Sequence, residues 1–337
     1  MGRSPSGYTK FACYSRTESP VSKSRSKVHP NYKGRYRVTN WSEYDRALVR
    51  RGDLTIWFTP EVVAAWQPRG EGFRGGQRRY SDVAIEAALT LRLLFRLPWR
   101  QTEGLLASIF SLLGLGLKAP DHTTLSRRTG GLRVELHRLP RTKPIHLIVD
   151  ATGLAIVGQG QWAAAKWGER GRRGWRKLHV AVDGAGQVLA VELTDRSIAD
   201  AVVLPGLMDQ IAEPIGRLTA DGGYDTREVY AAASSRGARV VVPPRRDAVV
   251  SGDSVLADRD AHIEKIAELG RRRWRVEAGQ HSQARAENTF FRYKRLFGGR
   301  LRARGELAQK NEILVGCNIL NRMTECGMPR SERIATA

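Results

Sequence analysis

The stretch Ile145-His146-Leu147-Ile148-Val149-Asp150-Ala151-Thr152-Gly153 constrains the fold of this chain more than any other. A short apolar, β-branched run follows Pro144 and ends on a lone carboxylate, then on small residues. Runs of this length, bounded by proline and glycine, read as buried central strands. Desolvating an unpaired ion is expensive. Asp150 is therefore expected where the strand leaves the core, either solvated or beside a cation. A plain turn aspartate at a strand end fits the same letters.

A second stretch repeats the arrangement. Arg217-Leu218-Thr219-Ala220-Asp221-Gly222-Gly223-Tyr224-Asp225 is a short apolar run, an aspartate, then glycines. Two strand-end aspartates on one sheet can share a cation. Glu287 offers a third carboxylate from Ala284-Arg285-Ala286-Glu287-Asn288-Thr289-Phe290-Phe291-Arg292-Tyr293-Lys294, a segment of good helix formers without Gly or Pro. Glu287 and Lys294 stand about two helical turns apart and share one face. Carboxylate oxygens are hard ligands, suited to Mg²⁺ or Mn²⁺ rather than zinc. Asp183, in an Asp-Gly hairpin tip, and Asp225, in Asp225-Thr226-Arg227-Glu228, read as a turn residue and a capping-box residue.

Along the chain the segments follow from composition and period. Residues 1–38 are rich in Ser, Arg, Lys, Gly and Tyr without apolar periodicity, which predicts a basic flexible arm. Residues 39–80 form an N-terminal segment and linker: Leu54 to Phe58 reads as a small strand or turn, Thr59-Pro60 as a helix start, and Gln67 to Arg79 as Gly/Arg-rich linker. Helical spacing runs from Ser81 through Phe95 and from Trp99 through Leu113, and Asp121 is placed to cap a third helix. These three helices make residues 81–140 a helix-turn-helix-like module. From Pro144 the period changes to strand, then a hairpin over Lys177 to Leu193, a helix over Ser197 to Ile211 with Asp200 as cap, the strand into Asp221, a helix to Arg236, a strand over Ala238 to Val242, a polar loop over Asp247 to Ala261, and helices over Ile263–Trp274, around Glu287 and over Ile313–Met323. Residues 144–325 are thus a mixed sheet flanked by helices, with 326–337 as a tail.

Charge narrows the partner. The 337 residues carry a formal net charge of +22, and the pI is about 10.6. That balance implies a polyanion, either nucleic acid or an anionic membrane surface. No apolar run spans a bilayer and Met1 opens no signal-peptide pattern, so a cytoplasmic, nucleoid-associated protein is expected. Cys13, Cys317 and Cys326 lack zinc-like spacing or a disulfide framework, and the histidines are scattered.

The order of these features resembles the ribonuclease-H-like catalytic core of DDE transposases, and within them the bacterial insertion sequence 5 family. The residues carrying the resemblance are Val38-Thr39-Asn40-Trp41, Arg51-Gly52-Asp53-Leu54, Arg100-Gln101-Thr102-Glu103-Gly104, Pro120-Asp121-His122-Thr123-Thr124-Leu125-Ser126-Arg127-Arg128, Trp175-Arg176-Lys177-Leu178-His179, Ala220 to Asp225, Ala286-Glu287-Asn288 and Arg292-Tyr293-Lys294. The fold implied is α/β, a ribonuclease-H-like mixed sheet flanked by helices, with an N-terminal α-helical DNA-binding region. The resemblance implies that Asp150, Asp221 and Glu287 bind two Mg²⁺ ions, with Mn²⁺ as an alternative, and that Lys294 assists at DNA. Related transposases carry a tyrosine and an arginine seven and four residues before the glutamate. Here those positions are Gln280 and Gln283, with Arg285 the candidate substitute.

The activity expected is metal-dependent cleavage of the terminal inverted repeats of an insertion sequence and strand transfer into target DNA, by a homodimer or higher assembly. Thr123, Thr124, Ser126, Arg127 and Arg128 would read the element ends. Arg172, Arg173, Arg176, Lys177, Arg271, Arg272, Arg273, Arg285, Arg292 and Lys294 would hold the backbone, supplying affinity without sequence information. A non-catalytic DNA binder derived from a transposase, or a metal nuclease without strand transfer, are the alternatives.

Overall fold

The computed structural model describes residues 35–68, 78–158 and 174–334. Residues 1–34 of the expected arm, 69–77 of the expected linker, and Arg172 and Arg173 lie outside them. The chain divides into two units, residues 1–41 with 329–337, and residues 42–328. In the first, β1 (Arg35–Val38) pairs antiparallel with β8 (Ser331–Ile334), from Arg35 opposite Ile334 to Val38 opposite Ser331. The backbone N–H and the hydroxyl of Thr39 both donate to Arg330 O. Residues 35–38 and 331–334, expected to be arm and tail, are therefore paired strands. β1 alternates over four residues only, β8 does not alternate, and the distant partner supplies the hydrogen bonds.

The second unit begins with helices α1 (Trp41–Arg51), α2 (Pro60–Ala64), α3 (Asp82–Leu94), α4 (Trp99–Leu112) and α5 (His122–Arg128). Thr59, Ser81 and Asp121 cap α2, α3 and α5 through their side-chain oxygens. Leu54–Ile56 is a 3₁₀ turn capped by Asp53, where a strand was one of the expectations.

A mixed sheet follows: β2 (Ile145–Ile156), β3 (Trp175–Val182), β4 (Val188–Asp195), β5 (Ile215–Thr219), β6 (Arg239–Val241) and the short β7 (Arg300–Leu301). The order is β4-β3-β2-β5-β6, with β7 joining the far end of β2. β4, β3 and β2 are antiparallel neighbours; β5 runs parallel to β2, and β6 to β5. Helices α6 (Asp200–Asp209) and α7 (Arg227–Ser235) cover one face, and α8 (Ala257–Glu277), α9 (Ala284–Phe297) and α10 (Glu306–Cys326) complete the unit. This mixed α/β architecture is consistent with the expected ribonuclease-H-like sheet. The polar stretch expected to be loop up to Ala261 enters a helix at Ala257, and Gly270 breaks that helix with φ +77° immediately before Arg271. Among the described residues no helix is long and apolar enough to cross a membrane.

Side-chain alternation splits the core into two layers. Ile145, Leu147 and Val149 face α6 and α7 together with Leu204, Leu207, Val229 and Tyr230. Ile148, Leu154 and Ile156 face the other side, where α9 and α10 pack together with the helices of the 81–140 segment: Ile85, Leu89, Leu91, Leu106 and Leu125 belong to this same core. Polar rungs fasten the connector from α5 to β2 onto α10. Asn311 Nδ2 donates to Thr129 O at 2.7 Å, and Asn321 bridges His137 O and both backbone groups of Val188.

α9 and α10 approach each other closely at Gly316 of α10. A Cβ there would meet Cε2 of the buried Tyr293 of α9 at 2.8 Å. Gly316→Val should therefore push the two helices apart and lower stability by about 1–3 kcal/mol, outweighing any gain in helix propensity. The measurement is the melting temperature; a variant as stable as its parent would show that the helix contact is slack.

Candidate active site

β2 continues through Asp150 to Ile156, so Asp150 lies in mid-strand and not at a strand end as expected. β5 is the element that stops. Its last rung with β2 is Thr219 opposite Ile148, and two residues further along each chain stand Asp221 and Asp150. The parallel register thus brings both aspartates to one level, where the sheet opens on the β5 side of β2. On the other side Asp150 keeps its rung with Val180 of β3.

Alternation puts Asp150 and Thr152 on the face of Ile148 and Leu154, the face covered by α9. Lys294 of α9 donates from Nζ to Thr152 Oγ1 at 2.6 Å. Glu287 begins the same helix on the same side, and both it and Lys294 are exposed. Asp221 caps the 3₁₀ turn Gly222–Tyr224, its Oδ1 accepting Gly223 N–H at 2.9 Å. A Cβ on Gly223 would stand 3.0 Å from that oxygen, so a larger residue there would press on the Asp221 carboxylate.

Asp150 is the strained member. Its one hydrogen bond comes from the neighbouring Ala151 N–H at 2.8 Å. Burial pushes its carboxyl up to about 6; that bond opposes the shift, and the charges of Asp221, Glu287 and Asp200 add to it. A desolvated carboxylate in a field of other carboxylates, all hard oxygen donors, fits a hard dication. Among the described residues no three His, Cys, Asp or Glu side chains stand together as a ready-made metal site. The acids therefore form an open array that a cation would have to draw in.

Asp200 is the acid that sequence reasoning passed over. It was expected to cap its helix; instead Ala199 occupies that position, and Asp200 is the first helical residue. Its carboxylate accepts Lys177 Nζ at 2.9 Å. His179 Nδ1 stands 3.9 Å away, fully buried, with burial holding the imidazole below its ordinary value. Asp225 also differs from expectation. It is buried and bonds Arg259 Nε at 3.0 Å and Arg245 N–H at 3.0 Å, while Thr226 takes the cap position of α7. Asp183 is the turn residue expected, accepting Ala185 and Gln187 N–H groups, and it also pairs with Arg141.

The expected DNA-contacting residues separate into two groups. Arg127 and Ser126 are exposed and line an open cleft of about 690 Å³ with Trp99, Arg100, Gln101, His122 and Thr123. Arg271, Arg272 and Arg273 line a second open hollow beside the Gly270 break, where Arg271 donates to Arg245 O at 2.9 Å and Arg273 pairs with Glu277 at 3.0 Å, and Arg285 is exposed. The other group makes its contacts within the fold. Thr123 and Thr124 turn their hydroxyls onto Asp121. Arg128 binds Tyr80 O and Asp82, Arg176 stands 3.5 Å from Glu306, and Lys177 holds Asp200. Arg292 is turned into α10, donating to Thr324 Oγ1 at 3.0 Å and Leu320 O at 3.2 Å, and burial lowers its guanidinium to about 10. One pair of sequence motifs has a structural reason to occur together: Glu103 Oε2 accepts the backbone N–H of His122 and contacts its Nδ1 at 2.8 Å, tying α4 to the start of α5.

The raised Asp150 carboxyl sets a pH dependence. A folded value near 6 lies above the unfolded value of about 3.9, so the folded state binds a proton more tightly. The associated stability is fully present below about pH 4 and is lost as pH rises through 6. Two units correspond to at most about 3 kcal/mol, and partial exposure reduces this to roughly 1–2 kcal/mol. In chelator, Asp150→Asn should therefore melt with its parent near pH 4 and a few degrees above it at pH 7–8. A difference that stays constant across that range would remove the desolvation argument.

With this geometry in place, a family model described as a transposase DDE domain matches residues 141–322. A second model of the same description matches residues 49–159.

Proposed function

This chain belongs to the family of DDE transposases, and we propose that it is the transposase of a bacterial insertion sequence of the insertion sequence 5 family, cutting the element's terminal inverted repeats and joining them to target DNA. The observation that carries this reading is the register of β2 and β5, which sets Asp150 beside Asp221 under the helix bearing Glu287. Asp150, Asp221 and Glu287 would hold two Mg²⁺ ions, with Mn²⁺ as an alternative, which when bound activate a water or a DNA 3′-hydroxyl and stabilise the leaving oxygen. Lys294, tethered to Thr152 on the same face, is in reach of a phosphate flanking that site. No protein nucleophile is required, so the chain's work is to orient the scissile phosphate between the acids.

The remaining cations divide the DNA between them. Arg127 and Ser126 on the exposed side of α5 are placed to meet base edges, and the 81–140 segment acts as the recognition region. Arg271 to Arg273 and Arg285 supply phosphate contacts. Arg172 and Arg173 keep the same proposed role on sequence alone. The working assembly is a homodimer or larger on DNA.

Asp150→Asn, Asp221→Asn and Glu287→Gln should each lower Mg²⁺-dependent nicking of an element end by at least about 100-fold while binding to the same DNA persists. Asp195→Asn, at an exposed turn, should retain activity. Asp225→Asn is unsuitable as a control, because it breaks a buried ion pair and costs about 3–5 kcal/mol. An active Asp150→Asn would refute the triad. Loss of nicking without any joined product in the parent would leave a nuclease, and no nicking at all a DNA binder.

Salt separates the two cation groups. Replacing Arg271, Arg272 and Arg273 with alanine should weaken specific and random DNA alike and flatten the log-affinity against log-salt line by about 0.9 per lost phosphate contact. Arg127→Ala should reduce mainly the ratio of element end to random DNA, by roughly 1–3 kcal/mol. Equal effects on both ligands from both sets of changes would overturn the recognition role of α5.

A further inference from the structure

Gln283 closes a 3₁₀ turn, Gln280–Gln283, one turn before Glu287. Its side chain points into the sheet. Nε2 donates to Val149 O at 3.0 Å, the carbonyl immediately before Asp150 and one residue past the last rung that β2 shares with β5. The residue is 7% exposed, and its Oε1 is buried without a partner among the described residues. Burying an amide oxygen unsatisfied is unfavourable, and an apolar side chain of the same length would fill the space without burying that oxygen. Holding this one carbonyl therefore carries a local penalty.

The segment that leads to Gln283 is fastened at its other end as well. The Arg217 guanidinium, on β5, donates to Ala278 O and packs where a Cβ on Gly279 would lie at 2.9 Å. Gly279 has φ +65°, so this position favours glycine both by conformation and by space. Residues 278–283 are thus pinned to β5 by Arg217 and to β2 by Gln283, and α9 starts directly from the second pin. Glu287 is exposed, and among the described residues it makes no hydrogen bond that could hold it toward Asp150 by itself. A short path between the two acids runs from Glu287 through one helical turn, the Gln283 amide and the Val149 carbonyl; the Lys294–Thr152 bond ties the same helix to β2 two turns further on.

We propose that Gln283 is a positioning residue of the acid site: its bond to Val149 O sets the spacing between Glu287 and Asp150. The proposal rests on the reading that these acids hold a divalent cation. Groups that orient ligand side chains from behind change metal affinity or activity about 10–100-fold when removed. Gln283→Met keeps the length and removes the donor.

The test is a titration of DNA-free protein with Mn²⁺ alone, followed by electron paramagnetic resonance, alongside melting temperature and steady-state nicking. Gln283→Met should melt within a few degrees of the parent, bind Mn²⁺ about 10-fold or more weakly, and lose kcat with KM for DNA unchanged. Parental Mn²⁺ affinity in that variant would overturn the proposal. Should Gln283→Met not fold, Arg217→Lys loosens the same segment without touching Val149. A several-fold loss of Mn²⁺ affinity in it supports the proposal, and an unchanged affinity overturns it. Asp150→Asn runs in parallel. If it loses Mn²⁺ while Gln283→Met does not, the cation site stands and the positioning role falls; if the parent binds no Mn²⁺, the cation site itself falls, and the proposal with it.

Discussion

The site depends on a mismatch of lengths between two ladders. β2 pairs with β3 from Ile148 to Ala155, but with β5 only as far as Ile148. Beyond that rung β2 keeps β3 on one side and is open on the other until β7 joins it at Ala155. An aspartate in the middle of a fully paired sheet would be desolvated on both flanks, at a cost of several kcal/mol. Ending β5 two residues early leaves Asp150 half-buried, with backbone order supplied by β3 and water admitted where β5 would have been. The same early ending turns the chain at Gly222 and Gly223 and delivers Asp221 to the gap.

The two layers around the sheet divide the work. On the α6 and α7 side the buried residues are almost all apolar, and the charged exceptions, Lys177 with Asp200 and Arg259 with Asp225, are paired. On the other side one core runs from the sheet through α9 and α10 into α3, α4 and α5. A motion of the helices over 82–128 is consequently felt at the strand that carries Asp150, because Leu91, Leu125 and Leu154 belong to one packed body. Much of the positive charge is committed within this body. Arg128, Arg292, Arg176 and Lys177 all bind protein acceptors, so the net charge of +22 overstates the cations available to a polyanion.

What was legible in the sequence was what local chemistry decides. The Asp121 cap, the Asp183 hairpin tip, the strands into Asp150 and Asp221 and the helix of Glu287 each rest on residues within a few positions of one another. The misread features depend on distant partners. Asp150 was expected at a strand end because nothing in its own neighbourhood records that β7 and β3 carry the strand on to Ile156. Asp225 has the letters of a capping box, but Arg259, 34 residues on, claims its carboxylate. β1 is too short for its alternation to be read, β8 has none, and their pairing joins segments far apart in the chain. Gln283 read as a departure from the family pattern, and its bond to Val149 spans 134 residues. A glutamine carries no charge and no period, so no local rule marks it.

These long-range bonds bear on why the acids stay together. Like charges in a desolvated gap repel, and a flexible site would relieve the repulsion by letting its backbone drift. Here each backbone is tied. Asp150 is held by its rung with Val180. Asp221 is held by its own turn, through the Gly223 N–H that its carboxylate accepts. The start of α9 is held by Gln283, and the loop before it by Arg217. The anchoring group nearest Glu287 is a neutral amide, which fixes geometry without neutralising the field, whereas a cation in that position would satisfy the acids and remove their demand. The cations that do approach, Lys177 and Lys294, bind Asp200 and Thr152 and leave Asp150 with a single backbone donor. A proton on Asp150 would relieve this repulsion, as would the cation proposed for the site, and at a pH above about 6 the proton is lost.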